Sequence, residues 1–362
     1  MSRGRVGDVR EAPPGTPSTL EWAVFAQRTC VVTVTYGDRA HLVRKAVAAA
    51  FDAGAGGIVV VDNGAAPPSR AEIDRLAQAW GGRLEVVRLP ENRGSAGGFR
   101  AGLERVRDRA ECEFIWLLDD DNAPRPDALG RLWHAYGALG ADPNHALLSL
   151  RPDRKEYLLA ATCGVPVAIT PNAFLGFHLM DVPSKVRRRL SPARPGRAAI
   201  RFPLAAVGYA PYGGFFFHRS WLDRVGLPDE RLYLYGDDHD FSLRFVRAGG
   251  TIYLCAASEV VDLEPSWHHE PSASRPWVSP AADERRVYYA VRNRARLEKA
   301  FTTSRIAYWA NACTYLGFLV VVGLLGEGRA RQVLRRVHLV LRALRDGRSD
   351  HRGRAADEGP AV

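Results

Sequence analysis

The chain has 362 residues, 46% of them hydrophobic and 25% charged, with 50 Lys or Arg against 40 Asp or Glu and a net charge of +10. This composition excludes a disordered or collagenous chain, and the length suits one large domain with an appendage, or two domains. Five cysteines (Cys30, Cys112, Cys163, Cys255, Cys313) are widely spaced and form no C-x-x-C pair, which argues against a zinc ribbon or disulfide framework and for a reducing compartment.

Residues 1–27 are polar and rich in Pro and Gly, lack the apolar stretch of a secretory signal, and read as a flexible arm. From Cys30 the run CVVTVTY predicts a buried strand, followed by a Gly-Asp turn and a helix over His41 to Phe51. GIVVVDNG predicts a second strand, residues 71–80 a helix and LEVVRL a third strand. ENRGSAGGFRAGLERV reads as a Gly-rich loop opening into a helix, and EFIWLL as a strand running into Asp119-Asp120-Asp121. Strand, helix, strand at this spacing is a βαβ unit, so the expected fold is α/β with a mostly parallel sheet flanked by helices. Ligands of such sheets bind beyond the carboxyl ends of the strands, where three of these strands end in polar residues. Further on, DDHDFSLRFVRAGG predicts a helix that begins on carboxylates and stops at Gly-Gly, and residues 283–300 another.

Three consecutive carboxylates at a strand end repel one another unless a cation lies between them. A hard divalent cation such as Mg²⁺ or Mn²⁺ answers that conflict; a solvated or helix-capping acidic turn is the alternative. YGDDHDF and SWHHE add Asp237, Asp238, Asp240, His268 and His269. With the triplet they could provide a metal pair and a separate general base, which transfer onto a hydroxyl requires. GSAGGFRAG has neither dinucleotide-fingerprint nor Walker spacing, and reads either as close backbone approach to a pyrophosphate or as a tight turn.

In this order, the segments VVTVTYGDR, VVVDNG, NRGSAGGF, WLLDDDNAPRPDAL, YGGFFFHRSWLDRVGLPDERLYLYGDDHDFSLR, SWHHE and YYAVRNRARL resemble the family-two inverting glycosyltransferases of GT-A (Rossmann-like) fold. They are most similar to the bacterial galactofuranosyl and rhamnosyl transferases of cell-wall and O-antigen assembly. The resemblance spans roughly residues 30–300 and implies a nucleotide-sugar site formed by Thr35, Tyr36, Asp62, Asn92, Gly97, Asp119 and Asp120. It further implies Asp119, Asp121 and His268 as ligands of Mn²⁺ or Mg²⁺, and Asp238 as general base. Asp237 is implied as the adjacent catalytic carboxylate that binds the acceptor or orients the base, with Gly213 and Gly214 bordering the acceptor. The implied domain covers 28–300, with a nucleotide-binding half (28–125) and an acceptor half (126–300). A nucleotidyltransferase and a non-catalytic membrane-bound scaffold are the rival readings; no nucleic-acid module is present.

Ile306 to Gly326 is an uncharged run of 21 residues, close to the ~20 that span a bilayer. A full crossing would export the Arg-rich tail against the positive-inside rule, so an interfacial or re-entrant helix is expected, with the enzyme peripheral or monotopic on the cytoplasmic side of the plasma membrane. In the tail, Arg331, Arg335, His338, Arg342 and Arg345 form one helical stripe and Val333, Val337, Val340 and Leu344 the opposite one; the expectation is a basic helix on an anionic membrane, and the alternative a helix packed on the enzyme. Residues 301–348 thus read as membrane-associating helices and 349–362 as a disordered tail. Residues 184–201 carry +7 and residues 329–348 carry +6, which leaves about −3 for everything else. A near-neutral enzyme with two basic patches, suited to anionic lipid or a polyprenyl-pyrophosphate-linked acceptor, describes the chain better than a basic protein.

Overall fold

The β-branched runs become a buried sheet whose two faces are both covered by helices. The computed structural model describes residues 19–183, 200–264, 283–327 and 330–349. Strand β1 (Thr29–Gly37) lies between β2 (Gly57–Ala65) and β4 (Phe114–Asp119), and β3 (Leu84–Leu89) flanks β2; these pairings are all parallel. Register sets Thr35 opposite Asp62 and Val34 opposite Asp119, so the polar strand ends share one edge. Successive side chains of a strand point to opposite faces. Val32, Val61 and Leu117 therefore enter one core cluster, and Val31, Val60 and Trp116 the other.

The connecting helices are α2 (Ala40–Asp52), α3 (Pro67–Trp80) and α4 (Gly94–Arg107). GSAGGF is thus helix from its first glycine, not loop. A Cβ on Gly98 or Gly102 would fall on Val34 or Val32, so these glycines let α4 lie directly on β1.

Beyond β4 come β5 (Asn122–Pro124), α5 (Ala128–Ala138), β6 (His145–Leu150), α6 (Lys155–Cys163), β7 (Leu204–Val207), β8 (Phe215–His218), α7 (Trp221–Val225), α8 (Asp237–Arg247) and β9 (Thr251–Asp262). Strand order is β3-β2-β1-β4-β8-β6-β9-β5, with β7 on β9. β8 runs antiparallel to β4 and β6, and β9 antiparallel to β5 and β7. The expected mostly parallel sheet is therefore a mixed one. Short runs such as FFFH do not reveal strand direction, which the chain's path through the intervening segment decides.

Two further expectations change. Thr19–Gln27 is helix α1 rather than loose arm, with Phe25 buried against Phe114, Trp133 and Phe216. Cys30 and Cys112 are joined in a disulfide between Cα atoms 5.5 Å apart. Their separation of 82 residues hides the pairing in the sequence, and the reducing-compartment reading loses the support it drew from five independent thiols.

The C-terminal helices are α9 (Glu284–Lys299), α10 (Arg305–Glu327) and α11 (Ala330–Arg348). Val340, Ala343 and Leu344 of α11 pack with Val287, Val291 and Ala295 of α9 and with Tyr308 of α10. The apolar stripe of α11 that was expected to face a membrane is thus largely covered by protein, as in the packed-helix alternative. On α10, by contrast, Ile306, Trp309, Phe318, Val321 and Leu324 are exposed. No helix among the described residues is long and apolar enough to cross a membrane.

Candidate active site

The three strand-end carboxylates have different surroundings. Asp120 is buried and turned into the protein: it accepts from Thr35 Oγ1 (2.7 Å), and from Arg39 through Nε (2.9 Å) and Nη2 (2.9 Å). Arg39 reaches on to Glu264 (3.0 Å) and lies 3.5 Å from Asp121, and its guanidinium stands 5.4 Å from the Tyr36 ring. The hydroxyl of Thr35 and the carboxylate of Asp120 thus hold the β1 and β4 ends together.

Asp119 and Asp121 keep less satisfied carboxylates. Arg151, almost wholly buried, lies 3.4 Å from Asp119 Oδ2 and donates to Asp262 Oδ2 at 2.5 Å. Asn122 donates to Asp121 Oδ1 (3.2 Å) and Asp262 Oδ1 (3.0 Å). Burial pushes Asp119 up to about 6 against the pull of Arg151, with Asp262, Asp120 and Asp238 adding to the rise. Burial and then Asp119, Asp120 and Asp262 raise Asp121 to about 7. Gly213 runs against this group, since a Cβ there would stand 2.8 Å from Asp119 Oδ2. Gly214 (φ +94°) donates its N–H to Leu117 O (2.8 Å).

Asp62, fully buried at the end of β2, accepts from Ala65 N (2.7 Å) and Arg70 Nε (2.9 Å). Its neighbour Asn63 ties β2 to the start of α4, donating to Gly94 O (2.9 Å) and accepting from Arg93 N (2.8 Å). Asn92 Oδ1 accepts from Gly94 N (2.8 Å). Gly97 is closed in by Arg93, whose Cβ a side chain would strike.

The acidic start of α8 faces the same edge. Asp237 is buried and accepts from Ser95 Oγ of α4 (2.8 Å), while Asp238 is half-buried. Burial, and then the charge of Asp238, raise Asp237 to about 8. A carboxyl whose folded value lies above its ordinary value of ~4 stabilises the fold fully below that value, and this contribution is lost as pH rises through about 8. Asp237→Asn cannot ionise, so its melting temperature is expected to gain on wild type as pH climbs from about 5 to about 9; a difference independent of pH would contradict the burial argument.

The structure thus gathers Thr35, Tyr36, Asp119, Asp120, Asp121, Gly213, Gly214, Asp237 and Asp238 around one end of the sheet, with Asp62, Asn92 and Gly97 at its β2–α4 side. His268, His269 and most of the basic segment 184–201 lie outside the described residues. Among the described residues no group of three or more His, Cys, Asp or Glu side chains is placed to hold a metal ion. The sequence reading missed Arg39, Ser95, Arg151 and Asp262, whose partners are distant in sequence. Only the polar end of β9 hinted at Asp262.

Residues 30–145 match the sequence model of glycosyl transferase family 2. Over those residues the chain is similar to glycosyl transferase family 2. That match takes in Asp62 and the acidic triplet and stops before Asp237. Together with the helix-flanked mixed sheet, this match supports a GT-A-like fold. The galactofuranosyltransferase GlfT1 of Mycobacterium tuberculosis is 28% identical over 164 residues, 45% of this chain and 47% of that protein. The succinoglycan biosynthesis protein ExoU of Rhizobium meliloti is 28% identical over 241 residues, 64% of this chain and 61% of that protein. The match to the first of these relatives spans about half of that relative's length. Among solved structures, S. aureus TarS 1–349 has a TM-score of 0.47 at 14% identity, covering 88% of this chain and 81% of that one.

Proposed function

We propose that this chain is an inverting, metal-dependent glycosyltransferase that moves galactofuranose or rhamnose from a nucleoside-diphosphate sugar to a hydroxyl of a lipid-linked saccharide. The observation that carries the reading is the half-buried Asp238 beside the strand-end carboxylates, close enough for its charge to raise Asp119. Galactofuranose is favoured by the activity in the name of GlfT1. Nothing in the site favours nucleotidyl transfer, because the turn after β1 presents Arg39 to Asp120 instead of a basic Gly-rich loop.

Glycosyltransferases of GT-A type generally use a divalent cation. The raised Asp119 and Asp121 suit one, since burial and the neighbouring carboxylates disfavour their charged forms, which a bound cation would restore. These two would hold the ion, with His268 as the third ligand, and when bound it would offset charge on the departing diphosphate. Asp238 accepts the proton of the acceptor hydroxyl as that oxygen bonds to the anomeric carbon and the bond to the diphosphate breaks. Asp237, held in its protonated form by burial, adds no second negative charge beside the base at neutral pH. A single displacement inverts the anomeric centre. The reading is tested by incubating the chain with UDP-galactofuranose, dTDP-rhamnose and other labelled sugar nucleotides, Mn²⁺ and a bacterial lipid extract. Label entering the lipid fraction supports it; no transfer from any donor contradicts it.

The proposed location is the cytoplasmic face of the plasma membrane, with α10 lying on an anionic bilayer. Its exposed face from Ile306 to Leu324 is uncharged, and Arg331, Arg335 and Arg345 are exposed on the helix that follows. Replacing both Trp309 and Phe318 by Glu is expected to lower flotation with phosphatidylglycerol vesicles about tenfold or more, because each charge opposes insertion at the interface; unchanged flotation contradicts it.

A further inference from the structure

The segment YYAVRNRARL becomes helix α9, and its Asn293 is fully buried beneath the loop that leads into Asp237 and Asp238. That loop is strained. Tyr233 (φ 61°), Tyr235 (φ 63°) and Gly236 (φ 77°) all have positive φ, a conformation that side-chain-bearing residues rarely adopt. Such a backbone persists only where its surroundings over-determine it.

Asn293 provides that constraint from one side. Its Nδ2 donates to the carbonyls of Leu232 (2.8 Å), Leu234 (2.9 Å) and Tyr235 (2.7 Å), so one amide group gathers three of the loop's acceptors. Its Oδ1 accepts from Arg292 Nε (2.9 Å), and Arg292 Nη2 donates to Arg231 O (2.7 Å). Gly236 packs on Asn293 closely enough that an added Cβ would stand 3.3 Å from the Asn293 Cβ. From the other side, Tyr233 O accepts from Ala96 N (3.2 Å), the Gly94 backbone is pressed against that carbonyl, and Ser95 holds Asp237. The loop is pinned between α9 and the glycine-rich start of α4.

We propose that Asn293 is a positioning residue: by clamping the carbonyls of Leu232, Leu234 and Tyr235 it holds the strained loop against α4 and so sets Asp238 relative to the bound donor. Its catalytic consequence rests on the glycosyl-transfer reading, whereas the clamp itself rests on the hydrogen bonds alone. Without the amide, the carbonyls of Leu234 and Tyr235 lose this donor and Leu232 O is left with Arg292 Nη2 (3.1 Å), so the loop relaxes toward ordinary φ values, which moves Asp238. A displacement of about 1 Å at a reacting group can cost about 100-fold in rate.

The test uses the full chain with Asn293→Ala and the milder Asn293→Ser, which keeps one donor. Two quantities independent of the amount of folded enzyme are read: the ratio of sugar transfer to donor hydrolysis, and amide hydrogen exchange across residues 233–238. The expected result is a transfer-to-hydrolysis ratio lowered about tenfold or more, with KM for the donor within about threefold and exchange accelerated in 233–238 ahead of the rest of α8. A lowered melting temperature with the ratio unchanged would make Asn293 merely structural and overturn the proposal, as would unchanged exchange in the loop. If the wild type transfers and hydrolyses no donor, the functional reading falls while exchange still decides the clamp.

Discussion

Asp238→Asn is expected to lower kcat by about 10² to 10⁴ and to leave KM for the sugar nucleotide within about threefold. The amide has nearly the size of the carboxylate, and Asp238 makes its close contact with the backbone N–H of His239, which an amide oxygen also accepts. The exchange removes the capacity to take a proton and little else. A fall in kcat with KM kept is the signature of an interaction used only in the transition state. Steady-state kinetics with a fixed acceptor check this; more than about a tenth of wild-type turnover would place the base elsewhere.

Arg151→Met is expected to destabilise the fold by about 3–5 kcal/mol, because removing one partner of a buried ion pair leaves the other charge unpaired. Arg151 is 5% exposed and Asp262 7% exposed, and the arginine also faces Asp119. Arg154 reaches Asp262 at 3.2 Å but is more exposed and cannot replace the lost contact to Asp119. Methionine fills most of the arginine stem's volume, so the effect reads charge rather than a cavity. Adding Asp262→Asn is expected to recover part of the loss, since the stranded charge then disappears. Urea unfolding of the two variants checks both statements; a double variant less stable than the single one would contradict the pairing.

The first half of the fold was legible because its strands are buried on both faces, and their continuous apolar runs end in polar residues at the sheet edge. Direction in the second half was not, because β8 and β9 pair with strands far away in the chain. The acidic triplet was visible as a cluster, but its division of labour was not: Asp120 turns inward because Arg39, 81 residues away, meets it there. The glycines of GSAGGF looked like a loop since Gly marks turns, whereas here small size lets a helix lie on Val32 and Val34. Asn293 sat inside a recognised motif, yet its role depends on a loop 58 to 61 residues upstream.

Proton NMR of the first product formed from the donor that the chain accepts tests the central claim most directly. The expected result is a new glycosidic linkage with anomeric configuration opposite to that of the donor, formed by wild type and almost lost in Asp238→Asn. Retained configuration, or equal product from both proteins, would contradict a single displacement driven by Asp238.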